Sequence, residues 1–516
     1  MVAFLVVLLA ACSFGPEISK GDPTRPDVIV ISIDTLRADH LSSYGHDRPT
    51  SPFMDKLAEE GTRFHHARST SPWTLPAHTT MLSGQLPTTH QITDDHLSLD
   101  TSVAVLPEVM KAAGYHTGGS VATLYVSRKF GFERGFDFFD DHGITTEKMN
   151  LSGSVTADKV LGSAVDWIES VPEGEPLFLF LHFYDVHYHY DPPAPFSTMF
   201  DRAPKDSDRK FRNYYAHKKK PLTESQKAHQ LAQYDESIRY MDHELEKLHA
   251  LLTKAGRKTR WVITADHGEE FGERGSWGHA HTLYAEQLRV PLIVSGEGLP
   301  SGVVVNDPVG IHDIAPTVAD WVGGSLPEAD GINLAPAMAG SPVPDRPFPA
   351  ETFRFKTRRI SLYEKGLRLE WDVAKDKREL FATDGDMLEE TDVAQMRPGD
   401  LATLSKRAEE VFGQPWTANA AGVVIAKKAA VISGGAHKRA QVQPGQTFQV
   451  LPYDAKVRFK VPRSGQKAQG PFSSVKPPTA SDAPLSFRAT AKTAGVTLDE
   501  ETRKKLEALG YVQGDD

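Results

Sequence analysis

A single cysteine in 516 residues, Cys12, leaves nothing to build a disulfide framework from. No basic block stands out either. The 58 Lys and Arg face 68 Asp and Glu for a formal charge of −10, which argues against nucleic acid as a partner. No apolar run reaches the roughly 20 residues that a membrane-spanning helix needs, which excludes a polytopic membrane protein. With 40% hydrophobic and 24% charged residues, the chain is instead long enough for one large folded domain and a smaller one. Its 21 histidines are a generous supply and hint at metal chemistry.

Cys12 closes the apolar run of residues 2–11. That run is too short to span a bilayer, and Leu9-Ala10-Ala11-Cys12 resembles the lipobox of bacterial lipoproteins, although no Lys or Arg precedes it. The resemblance implies a signal peptide over residues 1–12, a membrane anchor through lipidated Cys12, and a place in the bacterial cell envelope facing the periplasm or cell surface. Residues 13–25, with Gly, Pro, Asp and Ser, then read as a tether.

Asp27-Val28-Ile29-Val30-Ile31-Ser32-Ile33-Asp34 is a β-branched apolar run ending in a carboxylate, as expected of a buried parallel strand whose carboxyl end faces a site. Asp34 reads as a metal ligand there, or as a helix N-cap. Residues 176–183 form a second apolar strand, followed by the loop Tyr184-Asp185-Val186-His187-Tyr188-His189-Tyr190. Residues 260–265 form a third, ending in Asp266-His267-Gly268-Glu269. Helices are expected at 53–60, 105–113, 157–170 and 224–255, the last with Tyr234, Ile238, Met241, Leu245 and Leu248 on one face. Strand and helix alternate throughout 26–345, giving an α/β fold with a mostly parallel sheet flanked by helices. Residues 346–412 read as an antiparallel-sheet subdomain, and 413–516 as an appended β segment, a loosely ordered stretch and a terminal helix. The charged stretch 197–222 reads as a surface loop.

Between the first two strands lies Ser71-Pro72-Trp73-Thr74-Leu75-Pro76-Ala77-His78, running into a helix that ends at Gly84. Thr74 at this helix start is either a plain N-cap or a nucleophile set among backbone N–H groups and the positive end of the helix dipole. The candidate ligands fall into two groups. Asp34, Thr74, Asp266 and His267 form one; Asp185, His189 and His281, from Gly278-His279-Ala280-His281, form the other. Oxygen-plus-imidazole sets of this kind suit one or two divalent ions, zinc or manganese ahead of calcium. A threonine hydroxyl is unreactive alone, so the arrangement points to metal-assisted phosphoryl or sulfuryl transfer.

Taken in order, Asp34-Thr35-Leu36-Arg37-Ala38-Asp39, Thr74-Leu75-Pro76-Ala77-His78, Asp185-Val186-His187, Asp266-His267-Gly268-Glu269 and Tyr284 to Val294 resemble the sulfatase family of the alkaline-phosphatase superfamily. The resemblance implies an ester hydrolase acting on a small-molecule, glycan or lipid ester. It also marks departures. Sulfatases carry Cys or Ser, later oxidised to formylglycine, where this chain has Thr74, and the second Asp of their metal pair is Thr35 here. Thr74 therefore leans toward phosphate esters, with His78 and His187 as candidates for proton transfer or oxyanion contact. His189 competes with His187, and His281 with His279. A phosphoethanolamine-type transferase and a non-catalytic glycan-binding scaffold are the rival expectations.

Overall fold

The computed structural model describes residues 18–93, 97–144, 155–201, 222–354, 358–373 and 375–412, together with the backbone of strands between 419 and 495. Cys12, most of the 197–222 loop, the stretch 464–484 apart from one short strand, and the expected terminal helix lie outside the described residues.

Eight strands make the central sheet: β1 (Asp27–Ile33), β2 (Thr62–Phe64), β3 (His116–Ser120), β4 (Phe138–Asp140), β5 (Leu177–Phe183), β6 (Thr259–Thr264), β7 (Leu292–Gly296) and β8 (Val303–Val305). Their order is β8-β2-β7-β6-β1-β5-β3-β4. The middle, β6-β1-β5-β3, is parallel, and β7 runs antiparallel to both its neighbours. Every residue of β1 and β5 is buried, which is why both read as continuous apolar runs. Helices pack on the sheet: α1 (Pro52–Glu60), α2 (Thr74–Ser83), α3 (Ala157–Ser170) and α4 (Glu224–Lys254). In α4 the expected face of Tyr234, Ile238, Met241, Leu245 and Leu248 is wholly buried. Its start is fixed by a capping box, with Gln226 N donating to Thr223 Oγ1 at 3.2 Å and Thr223 N to Gln226 Oε1 at 3.0 Å.

The antiparallel subdomain is present as β9 (Phe348–Thr352), β10 (Arg359–Glu364), β11 (Leu367–Asp372) and β12 (Lys377–Ala382), covered by α5 (Pro398–Phe412). Beyond it, strands Asn419–Ala426 and Thr447–Pro452 pair antiparallel.

The described part of the expected tether is not loose. Ile18 is buried, Ser19 Oγ donates to Val171 O at 3.1 Å, and Gly174 N donates to Lys20 O at 2.8 Å. Arg257 makes this the clasp of the sheet's amino edge. Its Nε and Nη2 donate to the two oxygens of Asp27 at 2.6 and 3.1 Å, Nη1 to Ser19 O at 2.7 Å, and Nη2 also to Glu175 O at 2.9 Å. Arg257→Ala would leave Asp27 buried without its counter-charge and should cost about 3–5 kcal/mol of stability. Thermal denaturation checks this, and a melting temperature equal to wild type would show that the clasp is dispensable.

Candidate active site

The site forms where β1, β5 and β6 end. One residue before the end of the apolar runs, Ser32 of β1 stands in register with His182 of β5 and with Thr264 of β6. Alternation puts Asp34 and Asp266, two residues beyond Ser32 and Thr264, above this polar row. Immediately after Asp34 the backbone turns sharply at Thr35, a β-branched residue at φ 61°. The turn is held from three sides. Thr35 O accepts from Tyr234 Oη at 2.7 Å, Thr35 Oγ1 donates to Val186 O at 3.2 Å, and Thr35 N points to Asp266 Oδ1 at 3.4 Å. Thr35 is thus committed to the backbone and supplies no carboxylate.

Asp34, Asp266 and His267 come together with one ligand atom from each within 4.8 Å of the others, all fully buried. Asp34 Oδ1 and Oδ2 and Asp266 Oδ2 have no hydrogen bond of good geometry, the hydroxyl of Thr74 being the donor close enough to act on Asp34. Burial pushes the Asp34 carboxyl up to about 7, and burial together with the Asp34 charge raises Asp266. Orphaned anionic oxygens beside an imidazole are what a divalent cation would satisfy, so these residues fit the metal expected from the sequence. His267 Nδ1 is occupied by Gly268 O at 3.0 Å, which leaves Nε2 facing both carboxylates at 3.6 and 3.3 Å. Only glycine fits at 268, because a Cβ there would lie 2.1 Å from Glu286 O.

Thr74 is the first residue of α2, one position inside the helix, so Trp73 holds the N-cap position and the plain capping role for Thr74 falls away. Its Oγ1 lies 3.5 Å from His267 Nε2. The helix ends as the sequence implied, with Gly84 left-handed at φ 72° and its N–H donating to Thr80 O at 2.8 Å.

His78 is corrected. One turn into α2, it is wholly buried with both ring nitrogens engaged, Nδ1 with Thr74 O at 2.9 Å and Nε2 with Ser32 Oγ at 2.9 Å. Burial drives it down to about 3. It pins α2 to β1 and has no nitrogen left for an ester. His187 is also neutral, lowered chiefly by burial; its Nδ1 meets Tyr188 O at 2.8 Å and its Nε2 Tyr184 Oη at 3.2 Å. Its ring lies 4.9 Å from that of His279.

The second expected group does not assemble. Asp185 faces the backbone of Ala157 at the start of α3, with Asp158 and Glu244 as its charged neighbours, and burial pushes it up to about 7. There it serves the positive end of a helix. His189 packs beside Tyr188, 5.8 Å between rings, and His281 pairs with Glu270 Oε2 at 3.2 Å. Among the described residues, only Asp34–Asp266–His267 and His40–His46–Asp235 gather as potential ligand sets. The latter is already satisfied, since Asp235 accepts from His40, His46 and Arg48 at 2.6, 3.1 and 2.7 Å.

Other residues enter the site instead. His182, inside a run read as fully apolar, places Nε2 3.4 Å from Asp34 Oδ2. Its signal was the one imidazole breaking that run. His279, not His281, stands beside the cluster, its ring 4.6 Å from His267 and its Nδ1 3.0 Å from Glu269 Oε1. Glu269 also accepts from Tyr190 Oη at 3.1 Å, and burial raises it to about 8. The His279 loop is tied to the turn before Thr74 by Ala280 N donating to Pro72 O at 2.9 Å.

Comparison with known proteins agrees with this architecture. The family described as Sulfatase matches residues 26–324. The chain is 25% identical over 443 residues to choline-sulfatase of Rhizobium meliloti (strain 1021), covering 74% of this chain and 85% of that protein. It is 24% identical over 400 residues to the multifunctional alkaline phosphatase superfamily protein PehA of Trinickia caryophylli, covering 61% and 77%. The solved phosphonate monoester hydrolase of Agrobacterium radiobacter shares the fold with a TM-score of 0.62 at 18% identity, over 76% of this chain and 96% of that one. A buried Asp-Asp-His cluster at the carboxyl edge of a mostly parallel sheet, a helix starting beside it and a family match over residues 26–324, more than half of the chain, place this chain in the sulfatase family of the alkaline-phosphatase superfamily.

Proposed function

We propose that the protein is a metal-dependent ester hydrolase that uses Thr74 as its nucleophile and prefers phosphate esters to sulfate esters. The observation that carries this is the hydroxyl of Thr74 at the first turn of α2, 3.5 Å from His267 and beside two buried carboxylates with unsatisfied oxygens. Asp34, Asp266 and His267 would hold the divalent ion, whose chemistry there is to lower the pKa of an adjacent hydroxyl and stabilise charge developing on the ester. Thr74 Oγ, its proton given up to water, would form the new bond to phosphorus as the bond to the leaving alcohol breaks, and water would later hydrolyse the threonine phosphoester. The amino end of α2, whose leading N–H groups are those of Thr74 and Leu75, would turn the positive end of its dipole to the non-bridging oxygens. His279, its Nδ1 held by Glu269, is the group placed to hydrogen-bond the leaving oxygen, whereas His187 beside it has both ring nitrogens engaged. The choice of phosphate follows from Thr74 standing where sulfatases carry a residue that becomes formylglycine. Names of relatives span both chemistries, a choline-sulfatase on one side and a phosphonate monoester hydrolase on the other. A lipid anchor through Cys12 would place this activity in the envelope.

Asp34→Asn and His267→Ala should each weaken divalent-metal binding by more than about tenfold, the lower bound for losing even an outer partner of a metal site. Elemental analysis of native protein and variants reads this directly, and a native protein without stoichiometric metal would sink the metal-dependent reading.

Thr74→Ala should lower turnover by at least about 10³-fold with metal content unchanged, while Thr74→Ser keeps measurable activity. Aryl phosphate monoester, phosphodiester and aryl sulfate substrates, each with zinc, manganese or calcium, give the comparison. Activity confined to aryl sulfate and surviving Thr74→Ala would overturn the nucleophile assignment.

A further inference from the structure

Positive charge gathers around one tyrosine at the far side of the sheet. Tyr44 closes the short turn Ser42–Tyr44, and its buried hydroxyl lies 3.1 Å from both Phe64 O and Leu292 O and accepts from Leu292 N at 2.9 Å. The guanidinium carbon of Arg63 lies 5.1 Å from its ring centroid and that of Arg289 6.0 Å, while His65 stacks on it at 6.4 Å with the planes 5° apart. Arg63 and His65 are two residues apart at the end of β2, so alternation puts them on one face, and Arg63 Nη1 donates to His65 Nδ1 at 3.0 Å. His66 meets the His65 ring edge-on at 5.0 Å. The sheet order β2-β7-β6 sets Arg63 two strand spacings, about 10 Å, from the strand that leads to Asp266.

These cations lack the counter-charge given to other buried arginines. Arg68, Arg257, Arg358 and Arg368 each lie within 3.4 Å of a carboxylate. Arg289, only 6% exposed, makes no ion pair among the described residues, and its Nε and Nη2 are buried without a hydrogen bond. Arg63 has His65 as its hydrogen-bond partner and no ion pair there either. Asp39 is the strongest negative charge felt by Arg289, but both of its oxygens are taken by Arg37, at 3.0 and 2.7 Å. Asp55, which acts on Tyr44, accepts from Ser43 N and Ser51 Oγ at 2.8 and 3.0 Å. His65 and His66 are held below the usual histidine range, chiefly by burial and then by the neighbouring cations, and Asp384 is the negative charge that acts on His66.

We propose that Arg289 and Arg63, gathered on Tyr44, form an anion site separate from the catalytic centre that takes a free tetrahedral oxyanion, phosphate or sulfate. Nε and Nη2 of Arg289 are the side-by-side donors with which a guanidinium holds two oxygens of one anion, and neither has an acceptor in the fold. A buried guanidinium without a counter-charge is costly, and an oxyanion supplies the charge and the acceptors together. Arg63, half-buried at the rim, adds the second positive charge. The backbone fixes Arg289 in place from both sides, its N–H donating to Ala285 O at 2.8 Å and its carbonyl accepting from Ala38 N at 3.5 Å. The inference stands apart from the ester-hydrolase reading, because none of its residues belongs to the Asp34–Asp266–His267 cluster or to α2.

Thermal denaturation of the full-length protein in chloride, phosphate and sulfate at one ionic strength tests this, on wild type, Asp34→Asn, Arg63→Ala and Arg289→Met. Phosphate and sulfate should raise the Tm of wild type above its value in chloride, as any ligand of the native state does. The rise should persist in Asp34→Asn, whose metal cluster is impaired, and vanish in Arg289→Met. Arg63→Ala should need about ten- to a hundredfold more phosphate for the same rise, the range for losing a charged hydrogen bond. In chloride, Arg289→Met should melt no lower than wild type, since it removes the uncompensated charge. If Arg289→Met does not fold, Arg63→Glu, which places a negative charge at the rim, should abolish the rise by itself. No rise in wild type would overturn the proposal. So would a rise lost in Asp34→Asn and kept in Arg289→Met, which would put the anion at the catalytic centre alone. An equal rise in all four proteins would be the general salting effect of these anions and would overturn it too.

Discussion

Asp34 and Asp266 carry like charges into a space from which water is excluded. With ligand atoms no more than 4.8 Å apart, two ionised carboxylates would repel by roughly 3–4 kcal/mol at an effective dielectric of about 20, before the cost of removing each from water. Among the described neighbours only the Thr74 hydroxyl comes close to donating to Asp34, and three of the four oxygens lack a hydrogen bond of good geometry. The surroundings are built around this tension. His182 and His78 approach from below as neutral rings, His267 faces the pair from the side, and Thr35 bends the chain so that Asp34 stays where the sheet ends. Such a site is costly as it stands and would be relieved by a cation, which would tie its stability to its chemistry.

Much of this was legible because parallel strands write their own boundaries. Continuous β-branched runs ending in Asp34 and in Asp266-His267 gave both the buried middle of the sheet and the edge at which ligands gather. Thr74 could be placed beside them, since Pro72, Pro76 and Gly84 mark the helix ends. What could not be read was direction. Asp185 follows its strand as Asp34 does, yet the loop turns it toward the start of α3 instead of the cluster. His279 and His281 are two apart, and only the backbone at Ala280, φ 72°, decides which of them meets His267. His182 was hidden by its company, because one imidazole in an apolar run is as compatible with a satisfied core histidine as with a site. Its meaning appears only when the register sets it against Ser32.

The antiparallel subdomain is more than an appendage to the sheet. Buried Glu389 accepts from Arg68 of the sheet domain at 3.4 Å and ion-pairs with Arg368 of β11 at 2.5 Å, and its Oε2 also takes the N–H of Ala285 at 2.8 Å. Ala285 closes the loop that bears His279. One carboxylate therefore fixes the subdomain and sets the height of a site loop, so packing far from Thr74 is felt in the position of an imidazole beside it.

The Arg257 clasp gathers Ser19, Asp27 and Glu175 at the amino ends of the strands whose carboxyl ends carry Asp34 and Asp266. A seven-residue strand is about 23 Å long, and that length separates the two poles. The chain around Ser19 thus lies at the opposite end of the strands from the candidate site, so whatever holds the sheet's amino edge together leaves the Asp34–Asp266 edge unencumbered.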